Sequence, residues 1–240
     1  MVAVDDQTVA ATVHASGRAC RIVDLPSATA RIEVARARNL GAQNAIDAGA
    51  ELLVFLDVDC IPGPEMIGRY QRAAGVPTHA DSLLCGPVAY LPPPGPRGYD
   101  VATVTSHADP HAARVMPAGD QIVETTDYEL FWSLSFAVRT ATWTRIGGFC
   151  TDYSGYGGED TDLGQVARSL AIPMCWVGKA HAFHQFHPVS EPPVEHLSDI
   201  LANAGVFHRR WGWWPMGGWL DQFQTAGLIS RDADGRPRLL

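Results

Sequence analysis

The chain has 240 residues, 46% hydrophobic and 18% charged, with a formal net charge of −8, enough apolar material for one large or two small domains; a single domain, 1–240, is expected. Lysine and arginine are scattered, with no run able to track a phosphate backbone, which argues against nucleic acid as a partner. No stretch approaches the roughly 18 consecutive apolar residues of a transmembrane span, and no charged segment precedes an apolar one at the N-terminus, so a cytoplasmic protein is expected, with peripheral membrane contact left open.

Met1 to Val4 is an apolar run stopped by Asp5 and Asp6, Thr8 to His14 is mixed, and Arg21 to Asp24 offers a second short strand before Pro26. From about Ile32 to Ala48 apolar residues recur three to four apart and Gly49 follows as a stop, which predicts a helix. It feeds a strand, Leu52 to Leu56, that runs into Asp57-Val58-Asp59 and a turn at Pro62-Gly63-Pro64. Gly63 to Ala74 reads as a helix and Ser82 to Ala89 as one fully buried strand, so helix and strand alternate in the manner of an α/β fold.

Pro92 to Gly98 holds four prolines and two glycines and is a loop, and the weakly patterned stretch to about Gln121 reads as a surface excursion. Further on come a strand at Trp132 to Val138, a short helix at Ala141 to Ile146, an amphipathic helix at Asp160 to Leu170, a strand at Met174 to Val177 and a helix at Val194 to Arg210. The tail after Ser230 is expected to fray. The five cysteines, Cys20, Cys60, Cys85, Cys150 and Cys175, are odd in number and lack C-x-x-C spacing, so they read as reduced, buried thiols.

Three clusters could carry chemistry. Asp57 and Asp59 stand two apart at a strand end, where they either cap the turn that follows or share a cation. Gly157-Gly158-Glu159-Asp160-Thr161-Asp162 opens a helix; capping accounts for one acid at such a start better than for three, and the glycines allow close backbone approach to a ligand. His181, His184 and His187 recur at intervals of three and could supply nitrogen to a divalent metal. Trp211, Trp213, Trp214 and Trp219 suit either core packing or the C–H face of a sugar ring.

Four blocks in sequence order, Asp5-Asp6, Ala37-Arg38-Asn39-Leu40-Gly41, Phe55-Leu56-Asp57-Val58-Asp59, and Gly147-Gly148-Phe149 followed by Gly157 to Asp162, resemble the glycosyltransferases of the GT-A fold. The likeness covers nearly the whole chain. It is to the large family 2, with a C-terminal half similar to the β-1,4-galactosyltransferases. The resemblance implies an α/β, Rossmann-like single domain with a mixed central sheet, residues 1–90 forming the nucleotide-binding half and 121–240 the half that binds acceptor and completes the metal site.

It also implies roles. Asp5, Asp6, Arg38, Asn39 and Asp57 fall at the nucleotide, and Asp59 at a Mn²⁺ or Mg²⁺ ion, with Asp57 as a further ligand. His184 completes the metal shell, with His181 and His187 as alternatives. Asp160 is the catalytic base of an inverting transfer, Glu159 holds sugar hydroxyls, and Tyr156, Gly158, Trp211 and Trp213 contact acceptor or sugar. The expected substrates are a UDP-sugar, with galactose or an N-acetylhexosamine leaning, and a carbohydrate or other hydroxyl-bearing acceptor.

Relative to that pattern, the first strand–helix unit is lacking, which leads to the expectation of a dimer partner or a preceding segment over the sheet edge. Two other readings stand beside the transferase. One is a non-catalytic or inactive sugar-nucleotide binder. The other is a haloacid-dehalogenase-like phosphatase, against which Cys60-Ile61-Pro62 stands where that motif continues with glycine.

Overall fold

A computed structural model describes residues 1–27, 31, 33–107 and 109–240, so the expected helix start at Ile32 lies outside the described residues. The chain opens with β1 (Val2–Val4), α1 (Thr8–Ala15), β2 (Val23–Leu25) and α2 (Val34–Asp47). There follow β3 (Leu52–Leu56), β4 (Cys60–Pro62), α3 (Met66–Gly75), β5 (Leu83–Cys85), β6 (Val88–Tyr90), α4 (Val104–His107) and β7 (Asp109–Pro110). The remainder comprises β8 (Ile122–Thr125), β9 (Ser135–Arg139), α5 (Thr140–Ile146), α6 (Glu159–Ser169), β10 (Met174–Val177), β11 (Ala182–His184), α7 (Leu197–Trp211), α8 (Gly217–Thr225), β12 (Ile229–Arg231) and β13 (Pro237–Leu239). These elements assemble into two compact units, one of Met1–Ala45, Phe149–Asp162 and Val189–Leu240, the other of Ile46–Gly148 and Leu163–Pro188.

The second unit is built on a mixed sheet in the order β3-β9-β5-β10-β8, in which only β5 and β10 run parallel. Its central strands are apolar without alternation because both faces are covered: Leu83, Leu84, Phe136 to Val138 and Met174 to Val177 are almost wholly buried. Helix α3 sets Met66, Tyr70, Ala73 and Ala74 on the sheet at helical spacing. Phe55 stacks on Phe136 at 4.3 Å and meets Trp143 of α5 at 4.9 Å.

A second sheet, β4-β11-β6-β7, belongs to the same unit. Its existence corrects the expectation of one strand from Ser82 to Ala89. The Gly86 N–H still donates to Ser135 of β9, whereas the Pro87 carbonyl already accepts from Ala182 of β11, so the run changes sheets between these two residues. Gly86 is required there, since a Cβ would run into the Ala180 carbonyl and the Tyr70 hydroxyl, and Pro87 has no N–H to continue a ladder.

In the first unit β1 and β2 form a parallel pair, Val2 opposite Val23. Helix α1 buries no residue, which is why Thr8 to His14 carries no apolar stripe and reads as mixed. Helices α7 and α8 enclose Ile200, Leu220, Phe223 and Ile229.

Four more expectations are corrected. The tail does not fray: β12 and β13 pair antiparallel, and Asp232 accepts from the backbone of Asp234 and Arg236 to tie their turn. The strand expected from Trp132 begins at Ser135, because a tight turn joins Leu134 N–H to the Trp132 carbonyl. The excursion before Gln121 contributes buried side chains, Val104 and Arg114, the latter with its guanidinium 4.3 Å over the Trp132 ring. All five cysteines are free, but Cys20 is exposed and Cys150 only partly buried. No helix among the described residues is long and apolar enough to cross a membrane.

Candidate active site

The second unit gathers Asp59, His184 and His187. Strand β3 ends as the Asp57 N–H donates to the Leu134 carbonyl, and the chain turns as the Cys60 N–H returns to the Asp57 carbonyl. Strand β4 then pairs antiparallel with β11, setting Cys60 opposite His184, while the Gln185 N–H donates to the Asp59 carbonyl. That register leaves His184 Nε2 3.4 Å from Asp59 Oδ2. His187 follows three residues on, and one donor atom from each of Asp59, His184 and His187 lies within 4.8 Å of the others.

The electrostatics agree from both sides of the pair. The hydrogen bond from His184 holds the Asp59 carboxyl below its ordinary range, and the same bond raises the His184 imidazole. Asp59 Oδ1 is buried without a hydrogen-bond partner among the described residues. Tyr90 flanks the group, its ring 5.1 Å from that of His184. Neither Asp57 nor His181 belongs to the three-residue group. Burial lowers the His181 imidazole, and its ring lies parallel to Phe183 at 6.3 Å.

The first unit holds the glycine and acid segment. Arg38 pairs with Glu159 at 3.1 Å, both side chains only 13% exposed. Burial, then the charge of Asp160, pushes the Glu159 carboxyl up to about 7 against the opposing pull of Arg38. Asp160 accepts from the Thr161 N–H at 2.7 Å. Asp162 is 1% exposed, and its Oδ1 accepts from Arg210 Nε at 2.6 Å, Trp211 Nε1 at 2.7 Å and the Tyr153 hydroxyl at 3.2 Å. Asp162 is therefore an architectural acid, and Trp211 is tied to it through the indole N–H. Trp213 packs edge-on against Phe207 at 4.6 Å.

Tyr156 is 39% exposed and lies stacked on His196 at 4.3 Å, with Trp219 at 5.8 Å. Gly158 takes φ 97°, and a Cβ there would stand 3.1 Å from the Tyr153 ring. Asn203, in the middle of α7 and 2% exposed, organises this segment: its Nδ2 donates to the carbonyls of Ser154, Tyr156 and Gly157. Sequence reasoning misses it, since an asparagine within a helix gives no signal of its partners. Among the residues expected at a nucleotide, Asp5 accepts from the Ser27 N–H, Asp6 accepts from Thr8 at the start of α1, and Asn39 bonds the Phe149 backbone.

Residues 114–187 match the family model described as the N-terminal domain of galactosyltransferase. Over 196 residues the chain is 32% identical to validoxylamine A glucosyltransferase of Streptomyces hygroscopicus subsp. jinggangensis (strain 5008), an alignment covering 74% of this chain and 44% of that protein. The chain is a glycosyltransferase homologue. It spans less than half the length of that curated relative, and the matched 114–187 region contains both the acid segment and the two histidines of the metal-type group.

Among solved structures, GalNAc-T7 with UDP, GalNAc and Mn²⁺ is similar at a TM-score of 0.49 and 11% identity, covering 78% of this chain and 37% of that one. The mannosyltransferase PcManGT from Pyrobaculum calidifontis, in complex with GDP-Man and Mn²⁺, is similar at 0.47 and 16%, covering 94% of this chain and 59% of that one.

Proposed function

We propose that the protein is an inverting, metal-dependent glycosyltransferase of GT-A type, moving a hexosyl or N-acetylhexosaminyl group from a UDP-sugar to an acceptor hydroxyl. Glucose joins galactose as a candidate donor sugar, because the curated relative is named a glucosyltransferase. The observation that carries the reading is the group Asp59, His184 and His187, whose atoms already lie within reach of one cation.

The residues fit a divalent ion. One carboxylate and two imidazoles form an O,N donor set suited to first-row metals such as manganese. Asp59 Oδ1, buried and without a partner, is costly to leave so and is the natural ligand atom. The chemistry a bound Mn²⁺ or Mg²⁺ supplies is neutralisation of the charge that builds on the nucleoside diphosphate as the glycosyl–phosphate bond breaks. Asp57 at the end of β3, together with Asp5, is assigned to the nucleotide, Asp57 toward its ribose.

Asp160 accepts the proton of the attacking acceptor hydroxyl as the new glycosidic bond forms, and the nucleoside diphosphate departs with the electron pair of the broken bond. Glu159 accepts hydrogen bonds from sugar hydroxyls. Tyr156, exposed on a shelf with His196 and Trp219, offers an apolar face to a sugar ring. Trp211 and Trp213 carry less of this role, being engaged with Asp162 and Phe207.

The test is UDP release from a panel of UDP-sugars, with and without Mn²⁺, alongside calorimetry with UDP and Mn²⁺. Turnover should require the metal and fall at least about a hundredfold in Asp59→Asn and Asp160→Asn. Full activity in either variant would sink the assigned roles, and binding of UDP without any turnover would favour a sugar-nucleotide binder.

A further inference from the structure

We infer that Arg38 and Asn39, neighbours on α2, are positioning residues of the transfer reaction: they pin both ends of segment 149–159 and so fix where Glu159 and Asp160 stand. This rests on the function proposed above. It assigns both residues to the support of the acid segment rather than to the nucleotide.

Successive side chains on a helix point about 100° apart, so two neighbours can serve two separate targets. Asn39 presents its carboxamide to the Phe149 backbone as a strand would, Nδ2 donating to the carbonyl at 2.8 Å and Oδ1 accepting from the N–H at 2.9 Å. The Arg38 guanidinium lies 5.2 Å over the Phe149 ring and donates to Glu159 Oε1 at 3.1 Å. One helix thus grips the first and last residues of the segment.

What lies between needs such a grip. Gly155, Gly157 and Gly158 all take positive φ, and glycine-rich chain has the most conformational freedom to lose. Asn203 gathers the middle carbonyls, and α2 holds both ends. A segment fixed at three places holds a catalytic carboxylate to the tolerance that proton transfer demands.

Arg38 also sets the charge of the pair. The groups facing Glu159 are Asp160 on its own helix and Arg38 from α2; Arg36 of α2 is engaged with Glu33, and Arg210 of α7 with Asp162. Burial and Asp160 push the Glu159 carboxyl up, and Arg38 opposes them. Removing the guanidinium lets it rise further, so a larger fraction is protonated near neutrality and can no longer accept from a hydroxyl. Arg38→Lys keeps the counter-charge.

The experiment compares kcat/KM against pH, and KM for the UDP-sugar, in the wild-type chain, Arg38→Gln, Arg38→Lys and Asn39→Ala. The acid limb should move up by about one pH unit in Arg38→Gln and stay in place in Arg38→Lys. Asn39→Ala should lower kcat about tenfold or more with the limb unmoved. Donor KM should change less than about twofold throughout. A large rise in donor KM with an unmoved limb in Arg38→Gln would make Arg38 a nucleotide contact and overturn the inference.

A second readout needs no turnover. The Glu159 carboxyl is followed by carbon-13 NMR, assigned by its loss in Glu159→Gln. If its titration moves up in Arg38→Gln, the clamp stands even where no donor is turned over and the transferase reading fails. If the titration does not move, the clamp falls whatever the activity.

Discussion

Glu159, Asp160 and Asp162 share one helical turn but not one environment. Glu159 is matched by a single guanidinium, Asp160 holds a local backbone N–H, and Asp162 gathers three donors on one oxygen while almost wholly buried. A run of acids at a helix start suggests capping or catalysis equally, and only the partners separate them. Asp162→Ala would leave a guanidinium, an indole N–H and a phenol around a void, and should cost about 3–5 kcal/mol. Asp162→Asn keeps an acceptor and should cost less, on the order of 1–2 kcal/mol. Urea unfolding midpoints at matched m-values measure both; an unchanged midpoint in Asp162→Ala would remove Asp162 from the architecture.

At the scale of elements, what was legible in the sequence depended on length and burial. Strands β3 and β10 match their expected bounds because each is an unbroken apolar run stopped by turn residues or acids, β10 wholly buried and β3 at the sheet edge with only Leu53 buried. Strands β4, β6 and β11 are three residues each, too short to show a period, yet they place His184 beside Asp59. The acid and histidine types were therefore readable, while their juxtaposition, and the preference for His187 over His181, depended on register between distant strands. Helix α1 escaped notice for the opposite reason, having no buried face at all. Asn203 belongs to this scale, since one side chain substitutes for the backbone pairing that the irregular segment 154–157 lacks. Asn203→Ala should destabilise the fold by about 2 kcal/mol, through carbonyls left unsatisfied, and should open this segment to limited proteolysis ahead of global unfolding. Unaltered cleavage kinetics would show that the segment holds itself.

At the scale of the whole molecule, the cation-type donors Asp59, His184 and His187 belong to the second unit, and Asp160, proposed to take the proton, belongs to the first. Each unit is assembled from stretches far apart in the chain, so the contacts that define them are non-local, which is the feature least readable from local pattern and the one that slows folding. The shared class of the chain was nonetheless legible, because the motif blocks keep their order even where their neighbours in space do not.

The change of sheets at Gly86-Pro87 has a consequence for how the second unit breathes. Strands β5 and β6 are one continuous run with no intervening loop to absorb strain, and the residues on either side of the joint hold different ladders. Fraying one ladder must tug the other through a single peptide, so the two sheets should open as one cooperative block. In native-state hydrogen exchange, the amides of Leu84, Ala89 and Phe183 should then exchange with a common opening energy and a common denaturant slope; two distinct slopes would mean that the joint decouples them.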